Sequence, residues 1–315
     1  MKKFYILFII IFIFVSLNVA EETWIGRTGG HLLMVNPSTT SMALGGGYFE
    51  GIKGVETTSV NPAGLTGIKR REVSFSHVEM FDGFRVEYLG YAQKFKFLYI
   101  SFDTKGYFYK IDKIDSTEVE QGESNIYSIA PSVGVAMKIK NLSIGFSTTI
   151  LYENFGEIDG EKIELLNYAF NGGVQMDLFD ERIKIGGSVR NVSDADLSAF
   201  ENTGKTPMPL TGNAGISYIF KNAALKNKII ISANIEVPYD KDYVPIFSAE
   251  YLVRNWLKLR GGYRLNEDYE DELHNISFGL GIYESIKKID GALEYAYYSF
   301  GELGGTHRIS YSINW

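Results

Sequence analysis

Two acidic stretches carry the residue types that could bind divalent cations. Clustered carboxylate oxygens are the ligands that Ca²⁺ prefers. Neither stretch has the spacing of a calcium-binding loop, so solvated loops are the preferred interpretation and cation binding is the alternative. The carboxylates are Glu267, Asp268, Glu270, Asp271 and Glu272 in one stretch, and Asp112, Asp115, Glu118, Glu120 and Glu123 in the other.

The remaining candidates for chemistry do not form a catalytic, cofactor or metal site. His31, His77, His274 and His307 are far apart and lack metal-ligand spacing. The sequence has no Cys, which excludes thiolate chemistry and disulfides, and it has no G-x-S-x-G motif. Gly45, Gly46 and Gly47 lack the G-x-G-x-x-G spacing of a phosphate loop, so close packing is the preferred interpretation. We therefore predict that the protein is not an enzyme and has no cofactor.

Period-two segments occupy most of the chain after residue 71. The clearest is 182–191, in which Ile183, Ile185 and Val189 alternate with charged or small residues. Such alternation predicts strands with one apolar and one polar face. The predicted strands are 72–79, 83–94, 96–110, 125–138, 141–153, 164–178, 181–191, 209–220, 227–237, 244–253, 256–265, 274–284, 288–299 and 306–315.

The polar faces of these strands carry charges of both signs. Strands with an apolar face toward lipid and a polar face toward a lumen are typical of an outer-membrane β-barrel. The inward charges either form salt-bridge networks that fill the lumen or tune the passage of solutes. They are Lys184, Arg190, Lys258, Arg260, Arg264, Glu87, Glu236, Glu250, Asp290 and Glu294.

The connections between predicted strands alternate in length. Those after even-numbered strands are short, whereas most after odd-numbered strands are longer, including 111–124, 154–163, 192–208 and 266–273. Outer-membrane barrels have short periplasmic turns and longer outer loops, so both ends of the barrel are expected on the periplasmic side. Mean hydropathy of -0.06 excludes a helical membrane protein, and the net charge of -7 argues against a nucleic-acid partner.

Both ends of the sequence predict export to the outer membrane. Lys2 and Lys3 precede an apolar run and a small residue, Ala20, which is the pattern of a Sec signal peptide over residues 1–20. The last predicted strand ends on aromatic residues. We interpret Tyr311, Ile313 and Trp315 as a signal for the barrel-assembly machinery, with the barrel covering residues 72–315.

Residues 21–71 differ from the rest because they are rich in Gly, Ser and Thr and lack strong alternation. Asn61 or Ser59 could cap a short helix that has Pro62 in its first turn. The segment is too short for a separate domain, so we predict a plug inside the lumen. The fold class is thus an all-β transmembrane antiparallel barrel of about fourteen strands with an N-terminal plug segment.

Three stretches of the sequence, taken in order, resemble the PorV/PorQ family of outer-membrane proteins, which is similar to the FadL group. The resemblance covers about residues 41–90. Residues 53–58 depart from the acidic, alanine-rich run that relatives often carry there. The matching residues are Met42, Ala43, Leu44, Gly45, Gly46, Gly47 and Tyr48; Asn61, Pro62, Ala63, Gly64 and Leu65; and Glu72 to His77 with Tyr88, Leu89 and Gly90.

The resemblance implies a fourteen-stranded barrel with its N-terminal residues packed in the lumen. It also implies two functions. FadL-type members admit hydrophobic molecules across the outer membrane, whereas PorV is an accessory of type IX secretion that binds exported proteins. We expect partners among outer-membrane lipid, the barrel-assembly machinery, and hydrophobic small molecules or exported proteins. For the accessory role, loops 192–208 and 266–273 are the expected binding elements.

Overall fold

The computed structural model describes residues 28–47, 53–114, 120–158, 161–198, 205–222, 226–265, 275–301 and 304–315. Fourteen antiparallel strands form a closed barrel in which each strand pairs with the next and the first pairs with the last. The predicted fold class is therefore confirmed. The strands are β1 Arg71–Glu79, β2 Arg85–Phe95, β3 Leu98–Ile114, β4 Glu120–Ile139, β5 Leu142–Ile158, β6 Glu161–Leu178, β7 Ile183–Val192, β8 Thr211–Asn222, β9 Asn227–Pro238, β10 Val244–Val253, β11 Leu257–Arg264, β12 Ile276–Ile286, β13 Ile289–Ser299 and β14 Gly305–Asn314.

The outer face of the barrel is apolar. Leu89 is 55% exposed, Phe146 is 61% exposed and Ile309 is 50% exposed, and each alternates with a buried residue on its strand. So large an exposed apolar surface is unstable in water but is what lipid requires. Among the helices of the described residues, none is both long and apolar enough to cross a membrane.

The two ends of the barrel differ in their connections. At one end, called the short-turn end, the connections are 96–97, 140–141, 179–182, 223–226, 254–256 and 287–288. Lys96, Lys140 and Lys287 have positive φ there, as two-residue hairpin turns require. At the opposite, long-loop end, the connections are 80–84, 115–119, 159–160, 193–210, 239–243, 265–275 and 300–304.

The predicted bounds of two long loops are wrong because strand pairing extends into both loops from each side. β3 and β5 have 17 residues each, β4 has 20 and β6 has 18. A tilted strand needs only about 9–11 residues to span a bilayer, so this part of the wall extends beyond the membrane. Residues 111–114 and 120–124 of the first predicted loop belong to β3 and β4, and residues 154–158 and 161–163 of the second belong to β5 and β6.

A plug lies inside the barrel, and we define it as residues 28–47 and 53–70. It contains two short α-helices, α1 His31–Met34 and α2 Thr39–Ala43, and two 3-10 helices, η1 Val55–Ser59 and η2 Pro62–Gly67. The side chain of Asn61 caps η2 by accepting a 3.1 Å hydrogen bond from the Ala63 backbone N–H. Pro62 occupies the first turn, where its missing N–H costs nothing.

The face predicted for the start of β2 is wrong. Val86 and Tyr88 are buried toward the lumen, whereas Glu87 points outward and lies 2.6 Å from His77. Arg85 also points outward, and its Nε lies 3.0 Å from a Glu79 carboxylate oxygen. The lumen is filled by an apolar part of the plug at this point, whereas the outward face carries Arg85 and Glu87. The usual rule that polar residues face the lumen is therefore reversed here.

Several predicted features lie outside the described residues. These are the signal peptide over 1–20 with its cut after Ala20, the acidic residues within 266–274, His274, and the acidic residues 115–119. The predicted loop 266–273 lies there as well.

Candidate functional site

The asparagine–proline motif of the plug is seated against glycines of the barrel wall. A Cβ on Gly145 would lie 2.3 Å from the Pro62 carbonyl carbon and 2.4 Å from the Ala63 nitrogen. A Cβ on Gly173, which pairs with Gly145 across β5 and β6, would lie 2.1 Å from Asn61 Oδ1. The motif therefore fits only because these two wall positions have no side chain.

The glycine-rich segment is seated in the same way on the opposite wall. Gly45 and Gly46 have positive φ and turn the chain at the end of α2. A Cβ on Gly262 of β11 would lie 2.3 Å from the Gly45 nitrogen, and one on Gly279 would lie 2.5 Å from Ala43 Cβ. The glycine segment therefore packs closely against the wall, as the preferred interpretation of the sequence predicts.

Wall serines satisfy the backbone carbonyls of the plug. Ser76 donates to Pro37 O at 2.8 Å, Ser147 to Thr58 O at 3.1 Å and Ser188 to Val60 O at 2.8 Å. Buried carbonyls without a partner would each destabilise the docked plug. The plug is thus docked by specific hydrogen bonds around the lumen.

Charged side chains form two buried networks in the lumen. Arg260 Nε donates to Glu250 at 2.7 Å, and its Nη2 donates to Glu294 at 2.9 Å. On the neighbouring wall, Arg190 and Arg264 both contact Glu236, at 3.3 Å and 2.6 Å. These are the inward charges expected from the sequence, and the structure pairs them as a filling network.

The long-loop end of the lumen contains an apolar cluster among its polar groups. Leu32 and Leu33 of α1 enter this region and are 0% and 5% exposed. We call the region the apolar lumen cluster. It consists of Leu32, Leu33, Val78, Val86, Ala130, Leu151, Ala169, Leu197 and Met208.

Polar contacts at both ends of α1 hold it in the apolar lumen cluster. Lys105 Nζ donates to Val35 O at 2.7 Å and to Leu33 O at 3.3 Å. Arg308 donates to the Asn36 carbonyl oxygen. Before α1, the Gly29 N–H donates to Pro207 O at 3.0 Å, which joins the plug to the 193–210 connection.

The apolar lumen cluster is a site that an apolar molecule could occupy in place of the plug. Burying a leucine side chain is worth about 1.5–3 kcal/mol. A ligand of similar apolar area would regain this energy on displacing Leu32 and Leu33. The small wall residues Ala130 and Ala169 belong to the same cluster as the two leucines.

The sequence matches no protein-family model and no curated protein sequence. Among solved structures, the Pseudomonas putida toluene transporter TodX matches with a TM-score of 0.57 and 12% identity, covering 88% of this chain and 96% of TodX. The Ralstonia pickettii toluene transporter TbuX matches with 0.54 and 14%, covering 88% and 96%. The CymD monoaromatic hydrocarbon channel matches with 0.54 and 14%, covering 89% and 97%.

The chain shares the barrel fold of these transporters. At this level of identity the likeness concerns the fold. Which molecules this barrel handles must be argued from its own lumen.

The described histidines have ordinary structural roles. His77 contacts Glu87, and His307 Nδ1 lies 2.9 Å from the Tyr295 hydroxyl oxygen, both outside the lumen. His31 is exposed. Within the described ranges, no three His, Asp or Glu side chains come together in a way that could hold a metal ion.

The final strand closes the barrel. β14 pairs with β1 over most of its length, and the Trp315 N–H donates to Arg71 O at 3.1 Å. Tyr311 points outward and is 48% exposed, in the apolar outer face. Recognition of Tyr311, Ile313 and Trp315 by the barrel-assembly machinery stays a prediction.

We expect Glu56 to make docking of the plug pH-dependent. This carboxyl lies on η1, outside the membrane-spanning strands, and accepts a 2.6 Å hydrogen bond from Ser74. Burial, with help from the nearby Glu294 carboxylate, raises the pKa of Glu56 to about 8 from an ordinary 4.5. The docked plug therefore binds a proton more tightly than the released plug, so docking is most favourable below pH 4.5 and weakens as pH rises through 8.

We expect limited proteolysis within the plug to be several-fold faster at pH 9 than at pH 6. The variant Glu56→Gln keeps the volume of the side chain and cannot ionise, so its cleavage rate should depend less on pH than that of wild type. Glu181→Gln, an exposed carboxylate at the short-turn end, is the matched control. The same pH dependence in wild type and Glu56→Gln would show that another group controls docking.

Sequence reasoning missed the apolar lumen cluster. Val78, Val86 and Leu151 lie on separate strands, and each looks like any apolar strand residue. Leu197 and Met208 fall in the predicted loop 192–208, where apolar residues gave no signal by themselves. A helix of apolar residues in an otherwise Gly- and Ser-rich plug, Leu32 to Met34, was the one available indication.

Proposed function

We propose that this protein is an outer-membrane channel, not an enzyme, that admits hydrophobic or amphipathic small molecules. The observation that carries the proposal is the apolar lumen cluster at the long-loop end, occupied by Leu32 and Leu33 of the plug. A lumen that passes ions and sugars needs no such lining, because polar residues normally face the water-filled interior of a barrel. The fold shared with toluene transporters supports the same conclusion.

The barrel and the sequence support Sec export to the outer membrane. An apolar outer face fits an outer membrane, and residues 1–20 have the pattern of a Sec signal peptide. Membership of the PorV/PorQ family, similar to FadL, remains part of this proposal and rests on the motifs around Gly45 and Asn61.

The secretion-accessory role stays a prediction. Of the two loops expected to bind exported proteins, residues 266–273 lie outside the described part of the chain. In the other loop, Leu197 and Met208 are turned into the lumen and are 5% and 3% exposed. These two residues are not available to a protein partner, and the apolar lumen cluster that they help to form supports the channel.

Uptake of radiolabelled toluene tests the channel. The host is a Gram-negative cell without its own transporters for hydrophobic compounds. Wild-type protein is expected to raise the uptake rate several-fold over an equal amount of an unrelated porin. The double variant Leu32→Asn and Leu33→Asn weakens the docking of α1 and should raise uptake further.

Met34→Asn is the matched control, because Met34 lies on the same helix and is 39% exposed. Its uptake should equal that of wild type. Wild-type uptake no higher than that of the unrelated porin, with the barrel folded in the membrane, would overturn the proposal.

A further inference from the structure

The connections at the two ends of the barrel carry opposite charge. At the long-loop end, Lys205 and Lys241 are the only Lys or Arg residues in the sequence of the connections, among many carboxylates. At the short-turn end the connections contain seven basic residues and two acidic ones. The basic residues are Lys96, Lys140, Arg182, Lys226, Arg254, Lys287 and Lys288, and the acidic residues are Asp180 and Glu181.

Five of these basic residues are exposed and adjoin the apolar outer face of the barrel. Lys140 follows Ile139, which is 55% exposed, and Lys96 lies between Phe95 and Phe97, which are 49% and 68% exposed. Exposed apolar side chains at this level contact lipid, so the basic side chains beside them reach the layer of lipid headgroups. The apolar neighbours of the other three are Trp256, Ile286 and Ile289. We call the five residues the basic collar: Lys96, Lys140, Arg254, Lys287 and Lys288.

The geometry of the short turns does not account for the basic residues of the collar. Lys96, Lys140, Arg254 and Lys287 have φ angles between 46° and 57°, and hairpin turns with such angles favour Gly, Asn and Asp. Within the described part of the chain, no side chain of the collar forms an ion pair or a hydrogen bond. The positive charges of the collar are therefore available to a partner outside the barrel.

We propose that the basic collar binds the phosphate headgroups of anionic phospholipids, such as phosphatidylglycerol, in the leaflet around the short-turn end. Each Lys or Arg near an anionic bilayer surface strengthens binding by a factor of roughly five. A phospholipid contacts the basic residue with its headgroup and the neighbouring apolar residue with its acyl chains, whereas a soluble acidic partner needs no apolar neighbour. This binding goes beyond the proposed channel function, because no collar residue belongs to the plug or to the apolar lumen cluster.

Native mass spectrometry of the protein released from lipid nanodiscs tests the proposal. The nanodiscs contain equal amounts of phosphatidylglycerol and phosphatidylcholine. We expect wild type to retain at least roughly threefold more phosphatidylglycerol than phosphatidylcholine, because several charges of the collar act together. High salt screens exposed charges and should lower this ratio. Replacing all five collar residues by Gln should bring the ratio close to one.

Two further variants separate the charge of the collar from other effects. A control variant carries Gln in place of four exposed lysines at the long-loop end and should keep the wild-type ratio. A variant with Arg in place of the four collar lysines retains the charge and should keep the ratio as well. If the Gln variant of the whole collar does not insert, the single variants Lys140→Gln and Lys288→Gln should each lower the ratio in part. The four control lysines are Lys110, Lys162, Lys205 and Lys241.

Two results would overturn the proposal: equal retention of the two lipids by wild type, or an excess of phosphatidylglycerol that the Gln variant of the collar keeps. Binding of soluble polyglutamate by wild type without any excess of phosphatidylglycerol would also overturn it, in favour of a soluble acidic partner. The assay measures retained lipid, so a failure of toluene uptake would leave its result unchanged.

Discussion

Replacing Gly145 by alanine is expected to drive the plug out of its seat and open the barrel to ions. The added methyl group would lie 2.3 Å from the Pro62 carbonyl carbon and 2.6 Å from its oxygen. These are backbone atoms, which cannot swing aside as the end of a side chain can. Overpacking of an ordered site costs about 1–3 kcal/mol. Because β5 is held in the wall by strand pairing on both sides, we expect this energy to destabilise the docked plug rather than the barrel.

The measurement is ion conductance in planar lipid bilayers. A barrel of eight strands is filled by its own side chains, whereas one of 16–18 strands leaves an aqueous channel. A barrel of fourteen strands is therefore wide enough to conduct once its plug leaves. We expect the Gly145→Ala variant to conduct several-fold more current than wild type, with frequent open events.

Gly172→Ala is the matched control. Gly172 lies next to Gly173 on β6, and a Cβ there would meet only the Phe146 ring at 3.6 Å, which is ordinary contact. Its conductance should equal that of wild type. If Gly145→Ala inserts as a folded barrel and conducts no more than this control, the plug does not depend on the wall glycine.

Replacing Arg260 by methionine is expected to destabilise the folded barrel by about 3–5 kcal/mol, the usual cost of breaking a buried ion pair. The Arg260 side chain is fully buried and contacts both Glu250 and Glu294. Glu294 also accepts a hydrogen bond from Thr40 of the plug. Removing the guanidinium leaves two buried carboxylates close together, with Lys258 Nζ 3.9 Å from Glu250 as a distant partner.

The measurement is guanidinium-induced unfolding of the protein in lipid vesicles. Lys110→Met is the control, because the Lys110 and Glu123 side chains are 67% and 58% exposed, and an exposed pair contributes about 0–1 kcal/mol. Adding Glu250→Gln and Glu294→Gln to Arg260→Met removes the two buried carboxylates that have lost their arginine partner. The triple variant should recover most of the lost free energy of unfolding. A destabilisation by Arg260→Met no larger than that of Lys110→Met would contradict the network.

Much of the wall could be predicted from the sequence. On β7 and β11, apolar and polar residues alternate strictly, and the structure places Ser188, Arg190 and Arg260 toward the lumen as expected. The two faces of a strand can be predicted from the sequence because alternation is a local property of the chain. The ends of strands are harder to predict, as β3 to β6 show. Beyond the membrane a strand needs no apolar face, so polar residues continue the strand pairing without the alternation that marks a strand in the sequence.

The sequence by itself predicted strands over residues 72–315 and a Gly-rich segment before them without strand alternation, because alternation is a local property of the chain. Only the tertiary structure decided which residues meet inside the lumen. Gly145 and Pro62 are far apart in the chain, as are Leu32 and Leu151, and local periodicity carries no information about such pairs. The tertiary structure also decided which face of β2 points into the lumen. The plug is apolar where it meets Val86, which reverses the usual rule that polar residues face the interior of a barrel.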